Sequence, residues 1–186
     1  MDQNLIQLAE KTLIFLKKNS WSSLEINDVY SFSKLNKKKF EGKIKRKIDL
    51  INNIISFFDH KLIKDSKNIE QSSSKDMIFE LIMLRFDILQ NYRKQILNIY
   101  NSIKSKPQTI VMMLPSFLES MIMMAKISNI SLKGIKGSIK IKGLLIIYFS
   151  SFLVWSRDNT SSLEKTMMSL DKYLNQAEKL LKVVGK

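Results

Sequence analysis

Very few residues in this sequence have the types and spacing that catalysis requires. Cysteine is absent and His60 is the single histidine, so the paired Glu-x-x-His motifs of a helical di-metal site cannot form. Glu80 and Asp87 lie two helical turns apart, a spacing typical of a solvated helix face. No nucleophile elbow, phosphate-binding loop or dinucleotide fingerprint is present. We therefore expect no enzyme activity, no metal and no cofactor.

The strongest charge feature is a basic segment at residues 34–47, KLNKKKFEGKIKRK, which holds eight basic residues and one acid. The whole chain carries a formal net charge of +14. A positive surface of this kind favours nucleic acid or anionic phospholipid as a partner. Lys37, Lys38, Lys39 and Lys43 are the candidate contacts to DNA phosphates. Part of the lysine excess also fits an AT-rich coding sequence, whatever the protein does.

The elements that would position this segment are helices. Residues 4–17 have apolar side chains at helical spacing, and short helices followed by a longer closing helix extend to residue 58. This order predicts a helix-turn-helix head. It resembles the heads of TetR proteins at Trp21-x-x-Leu24 and at Ile44-x-x-Lys47-x-Asp49-Leu50.

Three positions depart from the TetR pattern. Lys34 replaces the glycine of the tight turn, and Glu41 replaces the tyrosine that faces the DNA phosphates. Gly42 would weaken the recognition helix by about 1 kcal/mol relative to alanine. Two interpretations stay open: a head that binds a specific DNA sequence, and a degenerate head retained as a scaffold.

The rest of the chain predicts a larger helical body. Residues 59–75 are polar and indicate a hinge; helices are expected at 76–104, at 109–128 with a kink at Pro115, and at 139–155. Ser161 and Glu164 fit a capping box at the start of a last, amphipathic helix. We therefore predict an all-α fold with a head at 1–58, a hinge or linker at 59–75 and a ligand-binding bundle at 76–186.

Two segments of the body resemble the Coq-nine family, the lipid-binding accessory proteins of ubiquinone biosynthesis, which have a TetR-like fold. The matching residues of the first segment are Asp76, Phe79, Met83, Arg85, Phe86, Asp87, Leu89, Gln90 and Arg93. Those of the second are Ile147, Tyr148, Trp155, Asp158, Thr166, Met167, Leu170, Asp171 and Leu174. The resemblance covers most of the chain and is strongest over 76–104 and 139–174.

The resemblance implies a protein that binds a polyprenyl-quinone intermediate and presents it to a membrane-associated demethoxyubiquinone hydroxylase. It implies that Tyr148, Trp155 and Asp158 lie near the mouth of a lipid site or on a partner surface. By the resemblance we expect a lipid cavity between the helices that begin near residues 76, 109 and 139. The expected lipid-binding residues are Met83, Phe86, Leu89, Met113, Met124, Leu145 and Tyr148. Methionine side chains adapt to irregular apolar contents, although an ordinary core uses methionine in the same way.

Other interpretations stay open for three features. The last helix can form a homodimer seam or simply pack on the body over residues 163–174, whereas residues 177–186 suit an anionic membrane surface. Gly134-x-x-Gly137 resembles an RNA-clamping loop but lacks the flanking strands, which favours a plain loop. The alternatives for the whole chain are a TetR-type repressor with an apolar effector, and a helical interaction protein with a filled core.

The sequence also predicts a location. Its N-terminus, MDQNLIQLAEK, lacks the features of a secretory signal, and the apolar run at 143–155 is too short and too rich in serine to span a bilayer. We therefore expect a cytoplasmic protein without a transmembrane helix. By the resemblance, it would associate peripherally with the inner membrane.

Overall fold

The computed structural model describes residues 1–184, with side chains described through residue 180. Helices account for all of the regular secondary structure in that part of the chain, which confirms the all-α prediction. The helices are α1 (Gln3–Phe15), α2 (Ile26–Ser33), α3 (Lys47–Asp65), α4 (Ser74–Gln90), α5 (Arg93–Ile103), α6 (Pro107–Ile127), α7 (Gly134–Trp155) and α8 (Glu164–Val184). Two 3₁₀ turns, Lys37–Phe40 and Ser66–Asn68, flank α3.

The chain forms two compact units, neither of which is continuous in sequence. Unit 1 contains Met1–Asp65 and Ile88–Phe117, and unit 2 contains Ser66–Asp87 and Leu118–Lys186. Helices α4 and α6 therefore each contribute to both units. The sequence predicted three consecutive segments: a head at 1–58, a hinge at 59–75 and a body at 76–186. These segments do not coincide with the two units, and the predicted division stays a prediction.

The core of unit 1 is built by α1, which packs against both α2 and α3. Leu8, Leu13, Val29 and Phe57 are buried there with almost no exposed surface. Helix α5 holds the loop after α1, because the Asn98 side chain donates to the Asn19 carbonyl (2.8 Å) and accepts from the Trp21 N–H (3.0 Å).

The helix predicted at 76–104 is two helices, which corrects that expectation. Helix α4 ends at Gln90, and α5 begins at Arg93. Tyr92 lies at the break and packs edge-on against Phe57 and Phe58 of α3, at ring-centroid distances of 6.1 and 5.5 Å. The turn therefore places an aromatic side chain against the core of unit 1.

Helix α7 begins five residues before the predicted start, so the Gly134-x-x-Gly137 sequence forms its first turn. Gly134 has φ +64°, a left-handed conformation that glycine adopts at little cost. At Gly137 a Cβ atom would lie 2.0 Å from the Leu132 carbonyl oxygen. The backbone conformation at Gly134 and the close approach at Gly137 therefore both favour glycine in the first turn of α7.

Two of the three glycines of α7, Gly137 and Gly143, give a matched pair of variants with opposite expected effects. Gly137→Ala should lower the free energy of unfolding by about 2–3 kcal/mol, because the loop before α7 must move away from the new methyl group. Gly143→Ala should raise it by up to about 1 kcal/mol, since a Cβ there meets no atom within 4 Å and alanine favours the helix. Urea unfolding of both variants checks this; a change of the same sign in both would contradict the packing described.

Helices α6 and α7 are long and apolar enough to cross a membrane by length and composition alone. Core helices of soluble proteins meet the same two measures, so this is weak evidence for a membrane-spanning segment. Of the segment 177–186, for which membrane contact was predicted, residues 181–186 lie outside the described side chains.

Candidate nucleic-acid interface and ligand cavity

The predicted DNA-contacting lysines lie on and just after the 3₁₀ turn Lys37–Phe40. The Asn36 side chain caps the start of this turn by accepting from the Lys38 N–H at 3.0 Å. Phe40 anchors the turn in the core of unit 1, 1% exposed, with its ring 5.6 Å from that of Tyr30. Because Phe40 points inward, the lysines before it stay on the surface. We call Lys37, Lys38, Lys39 and Lys43 the basic surface.

The lysines of the basic surface differ in whether another side chain of the protein binds their ammonium group. Lys43 donates to the Asp2 carboxylate at 2.8 Å. This hydrogen bond, together with those from the backbone and side chain of Asn4, lowers the pKa of Asp2 to about 2. Lys37 donates to the Asn27 side chain at 3.3 Å. Lys38 and Lys39 are exposed, and among the side chains of residues 1–180 the structure shows no partner for either. These two can therefore contact phosphate without giving up another partner.

The segment that would enter the DNA groove is short. In place of a recognition α-helix, unit 1 has one 3₁₀ turn of four residues, followed by Gly42 at φ +85°. Lys34 closes α2 in the left-handed conformation, φ 56°, at the position where the sequence pattern expects glycine. A single 3₁₀ turn can present fewer side chains to the base edges than a recognition α-helix can.

Lys47, at the start of α3, stabilises the head instead of adding to the basic surface. Its ammonium lies 5.1 Å from the centre of the Trp21 ring and donates to the Ser22 carbonyl at 3.1 Å. Burial lowers the pKa of Lys47, with a further lowering from nearby Lys106. This lysine therefore links α3 to the loop that follows α1.

Unit 2 brings together several residues that carry the family resemblance. The rings of Phe86 and Tyr148 stack at 5.6 Å with an interplanar angle of 4°, and Trp155 lies 6.1 Å from Phe86. The Arg85 Nε donates to the Tyr148 hydroxyl at 3.1 Å. All four side chains are buried. We call these four residues the aromatic cluster.

Asp158 is also buried, and it caps α8. Its carboxylate accepts hydrogen bonds from the N–H and hydroxyl of Thr160 and from the N–H and hydroxyl of Thr166, at 2.6–3.1 Å. Burial alone would raise the pKa of Asp158, but these hydrogen bonds lower it to about 2. The Thr160 hydroxyl in turn accepts from the Glu164 N–H at 3.1 Å. Asp158 and Thr160 thus cap α8, where the sequence predicted a Ser161–Glu164 capping box.

The prediction of a partner surface at Trp155 and Asp158 is therefore corrected. Both side chains have no exposed area, so neither can contact a partner protein without rearrangement of unit 2. The physical reason is that the Trp155 ring packs against Phe86 inside unit 2, and that the Asp158 oxygens accept hydrogen bonds from Thr160 and Thr166 at the start of α8.

The predicted lipid-binding residues do not form one group. Leu89 and Met113 belong to unit 1, whereas Met83, Phe86, Met124, Leu145 and Tyr148 belong to unit 2. Phe86, Met124 and Tyr148 are buried in the core of unit 2, while Met83 and Leu145 are half-buried. A lipid-binding role for these residues stays a prediction.

A cavity of about 420 Å³ lies in unit 2 among α4, α7, α8 and the segment between α6 and α7. Apolar residues form most of its wall: Ile78, Ile130, Ile139, Leu144, Ile147, Leu174, Ala177 and Leu180. Gly143 faces the same space, and no atom lies within 4 Å of where its Cβ would be. Lys75, Lys140 and Glu178 add charged groups to the lining. None of the seven predicted lipid-binding residues belongs to this lining.

Sequence reasoning expected a lipid cavity between the helices at 76, 109 and 139, but none of the lipid-binding residues that it named lines this one. Gly143 was a usable signal for it. A glycine inside a long apolar helix costs about 1 kcal/mol relative to alanine and often marks a close approach or open space. As for metal ions, the described residues contain no group of three or more His, Cys, Asp or Glu side chains that could hold one.

The fold is similar to a solved structure, a TetR transcriptional regulator from Nitrosomonas europaea ATCC 19718. The TM-score is 0.72 at 16% sequence identity, and the match covers 95% of this chain and 99% of the other. At this identity the likeness shows the TetR-like fold alone. No protein-family model matches the sequence, and no curated protein matches it.

Proposed function

We propose that the chain is a non-catalytic, DNA-binding regulator of the TetR type, whose unit 2 binds an apolar small molecule. The observation that carries the proposal is the arrangement of unit 1, where the 3₁₀ turn that follows α2, at the place of a recognition helix, carries exposed Lys38 and Lys39. The fold of a TetR transcriptional regulator, matched over nearly the whole chain, supports the same function. The cavity of unit 2 supports a small-molecule effector.

The test of DNA binding is fluorescence anisotropy with a labelled palindromic fragment from the region upstream of the protein's own reading frame. At about 150 mM salt, a regulator should bind that fragment at least about 1,000-fold more tightly than a shuffled fragment of the same composition. Equal binding to both fragments, with a steep loss of affinity as salt rises, would contradict the proposal because counterion release alone would then account for it.

The regulator is proposed to act as a homodimer, because α7 and α8 expose apolar residues. Ile139, Ile146 and Leu153 recur at seven-residue spacing on α7, and Ile146 is 66% exposed. Met168 of α8 is 71% exposed. Two-fold pairing of this helix pair would cover these side chains and match a palindromic DNA site.

Replacing Ile146 by glutamate should convert the dimer into a monomer at micromolar concentration, since each copy of the interface would then bury a charge. Sedimentation equilibrium measures the mass directly. Gln108→Glu, an exposed position in the first turn of α6, outside α7 and α8, is the matched control for one added negative charge. A wild-type chain that sediments as a monomer would contradict the dimer, and so would a dimer that survives Ile146→Glu.

A second candidate function is that of a lipid-binding accessory protein in ubiquinone biosynthesis. It would bind a polyprenyl-quinone intermediate and present it to a membrane-associated demethoxyubiquinone hydroxylase, from the cytoplasmic side of the inner membrane. Two observations favour it. The recognition segment is a single 3₁₀ turn, and the residues that carry the resemblance to Coq-nine, among them Arg85, Phe86 and Asp158, make the buried contacts of unit 2.

Mass spectrometry of an organic extract from the purified protein tests the second candidate. An isoprenoid quinone or its precursor at a near-stoichiometric amount, together with sequence-blind DNA binding, would favour the accessory protein over the regulator. An extract free of isoprenoid lipid, after expression in a host that makes ubiquinone, would count against it.

A further inference from the structure

The lining of the unit 2 cavity combines apolar residues with three charged ones, and the two kinds of residue suit different ends of one ligand. Ile78, Leu144, Ile147 and Leu174 supply buried hydrocarbon surface to the wall. Such a wall favours an alkyl chain, because each methylene that leaves water strengthens binding by up to about fourfold. Gly143 keeps the space open, since any larger side chain at this position would enter it.

Lys75, Lys140 and Glu178 contribute two cationic side chains and one carboxylate to the cavity lining. Lys75 donates to the Asn175 side chain and lies 3.6 Å from Glu178, a pair whose side chains are 36% and 45% exposed. An ion pair this exposed is weak and can be replaced by another anion. Lys140 donates to the Ser131 carbonyl at 3.3 Å, a neutral acceptor that leaves its charge uncompensated. The charged residues of the lining therefore sum to a net positive charge.

We infer that this cavity binds a long-chain carboxylic acid, with its alkyl tail against the apolar wall and its carboxylate between Lys75 and Lys140. The inference rests on the proposal that unit 2 binds an apolar small molecule, and it names the chemical class. A carboxylate gains charge-assisted hydrogen bonds from an ammonium group, which a neutral head group of the same size cannot match. The net charge of +14 also raises the concentration of anions near the protein.

The experiment is equilibrium dialysis of the full-length protein with radiolabelled dodecanoate and, separately, with radiolabelled dodecan-1-ol. The wild type should bind the acid about 10-fold more tightly than the alcohol. The double variant Lys75→Gln/Lys140→Gln should lose that preference, with about 10-fold weaker binding of the acid and less than a twofold change for the alcohol. Lys142→Gln, an exposed lysine of α7 outside the cavity lining, is the matched control and should bind both as the wild type does.

A second variant tests the location of the tail. Gly143→Phe should weaken binding of both compounds by more than 10-fold because the ring would occupy the cavity, whereas Gly143→Ala should bind both within about threefold of the wild type. Circular dichroism and thermal melting confirm that each variant is folded. Equal affinity of the wild type for acid and alcohol would overturn the carboxylate site, and unchanged binding by folded Gly143→Phe would overturn its position.

DNA binding, measured on the same samples, separates this inference from the proposed regulator function. If the wild type binds dodecanoate but shows no sequence-specific DNA binding, the regulator function is contradicted and the ligand site is supported. Sequence-specific DNA binding without any dodecanoate binding would overturn the ligand site alone.

Discussion

Replacing Lys38 and Lys39 by glutamate is expected to weaken DNA binding by about 100-fold at about 150 mM salt, because two phosphate-binding cations become anions. We expect these two lysines to contribute most to phosphate binding, because Lys43 is paired with Asp2 and Lys37 with Asn27. Anisotropy titrations at several salt concentrations give the measurement. The slope of log affinity against log salt should also become shallower by about 2, one for each lost phosphate contact.

The control for this variant is Lys133→Glu/Lys136→Glu, which changes the net charge by the same amount in unit 2. Both lysines are exposed beside the N-terminus of α7, where glutamate interacts favourably with the helix dipole. This control should lose less than about threefold in DNA affinity, because the lost charges belong to unit 2 and not to the basic surface. If the two double variants weaken DNA binding equally, the net charge of the protein and not the basic surface determines its affinity for DNA.

The second large effect is expected at Asp158. Asp158→Ala should lower the free energy of unfolding by about 3 kcal/mol, because the N–H and hydroxyl of Thr166 lose their buried acceptor and α8 loses its cap. Urea unfolding followed by circular dichroism measures the change. Asp171→Ala, an exposed position of α8 whose carboxylate accepts from Asn175, is the matched control and should change stability by less than about 0.5 kcal/mol.

The contribution of Asp158 should also depend on pH. Its pKa is about 2 in the folded protein against an ordinary value of 3.8, so the folded state binds a proton less readily than the unfolded chain. The stabilisation is therefore complete above pH 3.8 and is lost as the pH falls towards 2. The stability difference between the wild type and Asp158→Ala should shrink between pH 5 and pH 2.5. A difference that stays constant over this range would mean that the carboxylate charge does not stabilise α8.

The sequence predicted α1, α2 and α3 of the head because local patterns determine them there, whereas the second short helix that it predicted is a single 3₁₀ turn. Apolar spacing marks α1 and α3, and Asn36 sits where a capping residue is expected. The break at Tyr92 follows no such local pattern, since apolar residues continue on both sides of it. It depends on ring contacts with Phe57 and Phe58 that are more than 30 positions away in sequence.

The sites of unit 2 were harder to predict for a related reason. An acidic residue after a helix is usually exposed, yet Asp158 is buried because Thr160 and Thr166 supply its hydrogen bonds. A cavity depends on how much volume neighbouring helices leave unfilled, which apolar content does not reveal. Gly143 gave the one local indication of open space, and its meaning became clear only with α4 and α8 around it.

Selection of genomic DNA fragments on the immobilised protein, at about 150 mM salt and followed by sequencing, tests the regulator proposal most directly. We expect a small set of fragments to be enriched, each with a palindrome whose half-sites are about 10 base pairs apart, as a dimeric helix-turn-helix requires. We also expect the Lys38→Glu/Lys39→Glu variant to enrich none of them. Recovery of genomic fragments in proportion to their length, with no shared sequence, would contradict the proposal.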